Sequence, residues 1–485
     1  MKRHTWSLHH KWLGLILAFF ICMFCLSGLV LNHQEWTGTI DVSRRLLPDD
    51  YRLSNWNKGL FKGTQKWHGG VLIFGNSGVW KADAKGGAVS DFNQGMPPGM
   101  DNRNIRAMAV AAGNLFAVSN KSLFRRTPAA GWAECPMAHD DKLTDMISKG
   151  DSLLIIGRSY VYLSLPPYNR FRKLTLKAAP DSDHKVSLFR MVWLLHSGEL
   201  FGWVGKTLVD LIAFILIFLS LTGIAFWFLP WFRKYNRWHT ALRAFFLRWH
   251  DKVGRATVVL TLFIALTGWF LRPPALVLIA SARVPPVPFS TMANDNSWHD
   301  QLRALRFDSH AADWLLYTAR GFYSLHSLTA VPRLLPEQPP VSVMGANVLC
   351  QRSDGVWLVG SFSGLFTWNR RTGRFRDNLS PHAVASGPVN IPISEHPVAG
   401  YSADFSGKPL IVDYNSGTNG LKMPVWMSYL PMSLNHVCLE IHTGRIYTFL
   451  GKGNILYIFI IGLAIVWCLW SGWKLRSRKN RTGGA

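Results

Sequence analysis

The sequence predicts a membrane protein: a four-transmembrane-helix bundle built from two parallel repeats, with a β-rich, propeller-like periplasmic domain formed by two inserts. Three observations carry this expectation. Four apolar runs near bilayer-spanning length occur at Trp12–Leu31, Leu208–Leu229, Ala256–Leu271 and Ile455–Trp473. Short basic segments flank these runs on one side. One pattern is also written twice. His10-Lys11-Trp12-Leu13-Gly14 leads to Leu26-Ser27-Gly28, and His250-Asp251-Lys252-Val253-Gly254 leads to Leu266-Thr267-Gly268. In each copy the His precedes its Gly by four residues, and the two glycines are fourteen apart.

Composition agrees with a membrane chain. Of 485 residues, 48% are hydrophobic and only 17% charged, which is low for a soluble protein of this size. The net charge of +25 invites a nucleic-acid reading, but its placement argues otherwise. Residues 1–11, 231–255 and 474–485 hold 15 of the 53 Lys and Arg and a single acid, Asp251. Basic loops beside membrane helices are the positive-inside signature, so the N-terminus, central loop and C-terminus are expected in the cytoplasm and no nucleic acid is required. The remaining 38 Lys and Arg still exceed 27 acids, so the exported part is basic in its own right.

Taken in order, helix one (1–33) follows Met1-Lys2-Arg3. It is too long for a signal core and has no small-residue cleavage site, so it is expected to stay as an anchor. The first insert (34–195) reads as short strands broken by Gly, Asn, Asp and Pro. Three of its stretches, Gly70–Lys81, Ile105–Arg125 and Leu143–Leu163, resemble one another as propeller blades do. An antiparallel sandwich with regular turns would give the same pattern. Helix two (196–230), a cytoplasmic basic loop (231–255) and helix three (256–275) follow. The second insert (276–441) is expected to hold an amphipathic helix from Trp298 to about Leu328 and a further blade at Val348–Trp368. Helix four (442–474) and a basic tail (475–485) close the chain.

The halves match beyond the first motif. His196-Ser197-Gly198 corresponds to His442-Thr443-Gly444, and each His is followed nine residues later by Gly-Lys. Both halves start in the cytoplasm, so they are parallel repeats about an axis along the membrane normal. Symmetry then pairs His10 with His250 at the cytoplasmic face, and His196 with His442 at the exported face. Two neutral imidazoles facing each other across a bundle suit the axial positions of a b-type haem. A single His at a helix end is ordinarily an interfacial polar residue; four in two symmetric pairs favour ligation. Gly28, Gly223, Gly268 and Gly472 leave room for a porphyrin, although small-residue helix packing explains them equally. His9 rivals His10 and His33 is a second-rank candidate, but they align with Trp249 and Pro273 and so have no partner in the other half. His326 is assigned a surface role.

Six cysteines are few for this length. Cys22, Cys25 and Cys468 lie in apolar runs, where Cys22-x-x-Cys25 reads as filler rather than a redox pair. Cys135, Cys350 and Cys438 lie outside, and their pairing is left open. No Cys-x-x-Cys-His occurs, which excludes c-type haem attachment.

At these residues the chain resembles the PepSY-associated transmembrane family, which includes inner-membrane ferric-siderophore reductases. The resemblance rests on His10-x-x-x-Gly14 with Ser27-Gly28, His196-Ser-Gly, His250-x-x-x-Gly254 with Leu266-Thr267-Gly268, and His442-Thr-Gly-Arg445. It covers the four helices and implies a bacterial inner-membrane location, two b-type haems and electron flow to a periplasmic ferric chelate. No PepSY-type insert is evident in the exported part, which looks propeller-like instead.

The cytoplasmic segments total about fifty residues, and no Gly-rich dinucleotide motif follows a strand. Electrons must therefore come from a separate cytoplasmic reductase or from membrane quinol. Arg248, Lys252 and Arg255 are topology determinants that could also meet haem propionates or an acidic donor. The acceptor is expected to be an anionic ferric chelate or a periplasmic protein. A second class of reading makes the β-domain a membrane-anchored sensor or binding module without redox chemistry.

Overall fold

The computed structural model describes residues 3–128, 130–231, 237–342, 344–379 and 394–476. The chain divides into a helical unit (Met1–Thr37, His184–Ala293, Leu434–Ala485) and a β unit (Gly38–Asp183, Asn294–Ser433).

The helical unit contains α1 (Arg3–Asn32), a single turn α2 (Gln34–Thr37), α3 (Leu188–Ser197), α4 (Gly202–Phe228), α5 (Arg237–Phe270), α6 (Ala275–Ala280), α7 (Leu434–His442) and α8 (Asn454–Arg476). The four long helices pack in the cyclic order α1–α4–α5–α8, which puts α1 diagonally opposite α5. All four are long and apolar enough to span a bilayer, and only 17–22% of each apolar window is buried in the protein. Phe19, Val259 and Leu456 are 67%, 70% and 61% exposed. A helix apolar all round needs an apolar solvent, and this is a membrane protein.

Three boundaries differ from expectation. His196 and His442 do not open the spanning helices. Each sits in the last turn of a short helix, α3 or α7, stopped by a left-handed glycine: Gly198 at φ +78° and Gly444 at φ +75°. This is the ordinary C-terminal glycine stop, and the His-Ser/Thr-Gly motif is its sequence. Gly205 then allows the first turn of α4 to sit against the Gly198 carbonyl, where a Cβ would fall 2.1 Å from the oxygen. The expected loop 231–255 is helical from Arg237 onward, because no proline interrupts 237–270 and its alanines, leucines and arginines are good helix formers. Residues 232–236 of that loop, and 477–485 of the basic tail, lie outside the described residues. Helix α5 stops before Pro273-Pro274, as proline requires.

In the β unit, among the described residues, five four-stranded antiparallel sheets run up and down in chain order: 63–91, 105–135, 143–174, 302–334 and 346–377. A two-stranded sheet follows (Val398–Ser402 with Leu410–Asp413), and a ribbon pairs Asp41–Val42 with Met432–Ser433. Side chains alternate faces along a strand, and here adjacent residues feed different cores. Leu72 packs toward the second sheet and Ile73 toward the two-stranded sheet. Ile155 faces the second sheet and Ile156 the fourth; Leu316 and Leu315 divide likewise between the third and fifth. The last core joins Ala399 and Val412 to Ile73 and Trp80, so the sheets follow one another in a cycle, the neighbour relation a propeller-like domain requires.

The helix expected over Trp298–Leu328 is instead three strands, Leu302–Asp308, Asp313–Thr318 and Gly321–Leu325. The spacing of Leu302, Leu305 and Leu316 imitates a helical stripe, but Asp313–Thr318 is buried on both faces. The Asp308 carboxylate accepts from the backbone N–H groups of His310 and Ala311, both at 3.0 Å. That turn chemistry starts a hairpin rather than a helical turn. His326 is exposed beyond the third strand. All six cysteines are free.

Asp308 also anchors the junction of the fourth and fifth sheets. It accepts from the Trp357 indole at 3.0 Å and the Gln351 amide at 2.6 Å, and it pairs with Arg370, which also binds Asp313 through two N–H groups at 2.8 and 2.9 Å. Burial pushes the Asp308 carboxyl up, but the Ala311 N–H, Gln351, Trp357 and the Arg370 charge outweigh it and hold the group below the usual carboxylate range. A folded-state value below the unfolded one, about 3.9, gives stability present above about pH 4 and lost as pH falls through the folded value. Asp308→Asn is expected to destabilise the β unit at pH 7 by about 2–4 kcal/mol. In denaturation followed by tryptophan fluorescence, its gap from wild type should close below about pH 4; a gap independent of pH would remove Asp308 as the source.

Candidate functional site

Four imidazoles converge inside the helical unit in two pairs. The His10 ring on α1 lies 6.1 Å, centroid to centroid, from that of His250 on α5. His196 on α3 lies 6.0 Å from His442 on α7. These are the two pairings that the internal symmetry suggested.

Every one of the four rings is held in the same way. The His442 Nδ1–H donates to the Phe24 carbonyl at 3.0 Å and lies 3.1 Å from Ser27 Oγ. His10 Nδ1–H donates to the Cys468 carbonyl at 3.0 Å, with Ser471 Oγ at 3.4 Å. His250 Nδ1 meets Thr222 Oγ1 at 3.1 Å, and His196 Nδ1 meets Thr267 Oγ1 at 3.2 Å. Each of these hydroxyls donates its own proton to a carbonyl one turn back in its helix: Ser27 to Met23, Thr222 to Phe218, Thr267 to Ile264 and Ser471 to Cys468. The hydroxyl and carbonyl oxygens can then only accept, so the ring proton sits on Nδ1 and the Nε2 lone pair is left free to ligate. Among the described residues, no hydrogen-bond partner meets Nε2 in any of the four.

The residue after each hydroxyl is glycine, and the ring lies against it. A Cβ at Gly28 would stand 3.3 Å from His442 Cε1, and one at Gly223 would stand 3.4 Å from His250 Cε1. At Gly472 the separation from His10 Cε1 would be 2.9 Å, and at Gly268 the separation from His196 Cε1 would be 2.7 Å. Real Cβ atoms do not approach that closely, so Gly268 and Gly472 are needed for the rings to sit where they do.

The donor set fits haem. Two metal–imidazole bonds of about 2 Å on either side of one ion put the ring centroids roughly 6 Å apart, which is the observed separation. Among the described residues no three His, Cys, Asp or Glu side chains gather as a metal cluster. A facing pair of imidazoles is a donor set that a metal held by a macrocycle could use.

The second-rank histidines stand elsewhere. His9 Nδ1 accepts from the Trp467 indole at 3.3 Å. His33 Nε2–H donates to Asp210 at 2.8 Å, and its ring stacks on Trp36 at 4.4 Å. Of the basic residues near His250, Arg255 pairs with Asp251 and Lys252 lies over the Trp249 ring. Sequence reasoning missed Ser27, Thr222, Thr267 and Ser471. The signal was a hydroxyl residue before each of four glycines. It also missed Arg272, which donates to the His442 carbonyl at 2.9 Å and puts a cation beside the His196–His442 pair.

No curated protein sequence matches the chain. Two solved structures of an extracellular domain from B. thetaiotaomicron, described as belonging to a hybrid two-component and a one-component system, are similar at 8% and 9% identity with TM-scores of 0.37 and 0.36. They cover 74% of this chain, which spans 32% of theirs; at that level the similarity bears on neither fold nor function. The family described as the PepSY-associated TM region matches residues 1–229 and 157–479, stretches that together contain both histidine pairs and all four hydroxyl-glycine pairs that hold them. The chain belongs to the PepSY-associated transmembrane family.

Proposed function

We propose that this protein is a b-type di-haem membrane cytochrome that carries electrons from the cytoplasmic side to a periplasmic acceptor, reducing a ferric siderophore or another ferric chelate so that iron is released. The observation that carries the reading is the fourfold repetition of one arrangement: a desolvated imidazole, its Nδ1–H tied to a neighbouring helix, its Nε2 free. His10 and His250 would hold one haem, and His196 and His442 the other. Haem, when bound, supplies reversible one-electron chemistry, with its potential tuned by ligand hydrogen bonding and burial. The protein's part is to keep the four rings neutral, oriented and dry. The hydroxyl–imidazole bonds fix tautomer and ring plane, the outer-shell contribution that metal-ligating histidines ordinarily require.

Direction follows from charge. The basic segments at the His10–His250 end favour the cytoplasm, and the basic β unit favours an anionic acceptor. The net reaction is delivery of one electron to each ferric centre, giving ferrous iron; the electron comes from a separate reductase or from quinol.

Purified protein reduced with dithionite should show the α-band of b-type haem; its absence would leave the non-redox sensor reading in place. His10→Ala or His250→Ala should each remove about half of the haem, and His196→Ala or His442→Ala the other half. Unchanged haem content in a variant from each pair would sink the ligand assignment. Gly268→Val, which must displace His196, is expected to lose the same half as His196→Ala while α-helix content measured by circular dichroism stays unchanged; full retention of haem would mean that the glycine serves helix packing alone.

A further inference from the structure

Two residues beyond the end of α5 stands Arg272, fixed by its own backbone. Its N–H donates to the Trp269 carbonyl at 3.0 Å, its carbonyl accepts from the Leu276 N–H at 2.9 Å, and two prolines follow it. The half-buried side chain reaches α7 and donates one N–H to the His442 carbonyl at 2.9 Å. The guanidinium is therefore joined to the backbone of a residue whose ring is one of the facing imidazoles. Its charge bears on both rings of that pair, His196 and His442.

A cation at a helix C-terminus is an ordinary cap, but a carbonyl accepts the bond without cancelling the charge. A guanidinium has five N–H donors, and among the described residues this one makes no ion pair within 4 Å. Acids at the same end of the helical unit are occupied by other cations or by imidazole. Arg445 Nε meets both oxygens of Glu440, at 3.0 and 3.1 Å. His33 holds Asp210 at 2.8 Å, and Lys206 lies 3.8 Å from Glu199.

The duplication shows that the bundle does not need a charge at this position. Counted from Gly268 and Gly28, Arg272 stands where the first half has Asn32. That neutral amide donates to Asp210 at 3.2 Å. Among the described residues, no arginine or lysine donates to the backbone of His10 or His250. The uncompensated cation belongs to one histidine pair and has no counterpart at the other.

We propose that Arg272 is the carboxylate-binding residue of the His196–His442 site: it pairs with a propionate of the haem that these histidines would hold, and its charge raises the reduction potential of that haem above its partner's. The proposal rests on the di-haem reading given above. A haem carries two propionate carboxylates, and a guanidinium meets a carboxylate through two parallel N–H···O bonds. A negative propionate favours the ferric state, and a cation beside it offsets that charge and favours the ferrous state. Electrons entering at His10–His250 would then run downhill toward His196–His442. This gives the wire a direction that its symmetric ligands alone do not.

The test uses the detergent-solubilised, haem-loaded full chain. His10→Ala leaves only the haem of the His196–His442 pair, and His442→Ala leaves only the other. In spectroelectrochemical titration the first should show the higher potential. Adding Arg272→Gln to His10→Ala should lower it by about 59 mV or more, a tenfold shift in the ferric–ferrous balance. Gln keeps an N–H for the His442 carbonyl, and Arg272→Lys, which returns the charge without the fork, should recover part of the fall. Added to His442→Ala, Arg272→Gln should change nothing. Carboxylate pairing is read from haem loss to excess apomyoglobin, which Arg272→Gln should speed about tenfold. With haem dimethyl ester, whose carboxylates are masked, wild type and Arg272→Gln should lose the group at equal rates. A potential indifferent to Arg272, an equal fall in both backgrounds, or an undiminished effect on loss of the ester overturns the proposal. A wild-type chain that binds no haem defeats the di-haem reading and this proposal with it. A loaded chain whose potential and haem retention ignore Arg272 keeps that reading and discards only the proposal.

Discussion

An imidazole in a hydrocarbon-solvated bundle has one N–H that water cannot satisfy, and leaving it unpaired costs of the order of a few kcal/mol. The arrangement of the helical unit follows from how that proton is placed. Each ring needs an acceptor on a neighbouring helix, where a carbonyl already in the helix ladder has only a second lone pair to offer, as those of Phe24 and Cys468 do. A Ser or Thr that returns its own proton one turn back, as Ser27 does to Met23 at 2.8 Å, offers a lone pair at no cost to the ladder. The ring must also lie against the helix to reach it, and at Gly268 and Gly472 only glycine leaves room for that approach. The hydroxyl, the glycine and the distant histidine are thus one unit of structure in three pieces of sequence.

The β unit solves a different problem by different means. No sheet in it is large, yet strands such as Gly70–Gly75 are buried along their whole length, because each sheet is sandwiched between two others. Consecutive residues serve two separate cores, so a continuous apolar run is required where a one-sided sheet would alternate. Buried carboxylates enter in networks, as where Asp308 and Asp313 pair with Arg370.

Much of this was legible beforehand. Apolar runs and basic flanks located the four spanning helices, and the doubled His-x-x-x-Gly and His-Ser/Thr-Gly motifs named the four histidines that meet. The hairpins at Gly70–Lys81 and Val348–Trp368 were readable from their turns. What escaped notice did so for physical reasons. The strands of 302–325 carry leucines at helical intervals, and the turn-forming power of Asp308 is visible only once its two backbone donors are in place. The N-terminal part of α5 is too charged to register as a membrane helix, though nothing in it breaks a helix. The role of Ser27 or Thr267 involves a residue tens to hundreds of positions away, and no local pattern reports such a partner.

The holding contacts all cross from one half of the duplication to the other. His10 and His196, in the first half, rest on Ser471 and Thr267 of the second; His250 and His442, in the second, rest on Thr222 and Ser27 of the first. Neither half contains a complete pair, and none of the four paired histidines is held by a hydroxyl of its own half. A lone half would therefore be chemically unfinished, whereas two copies related by a two-fold axis would supply every ring, hydroxyl and glycine. The present chain thus has the internal logic of a symmetric homodimer written in one polypeptide.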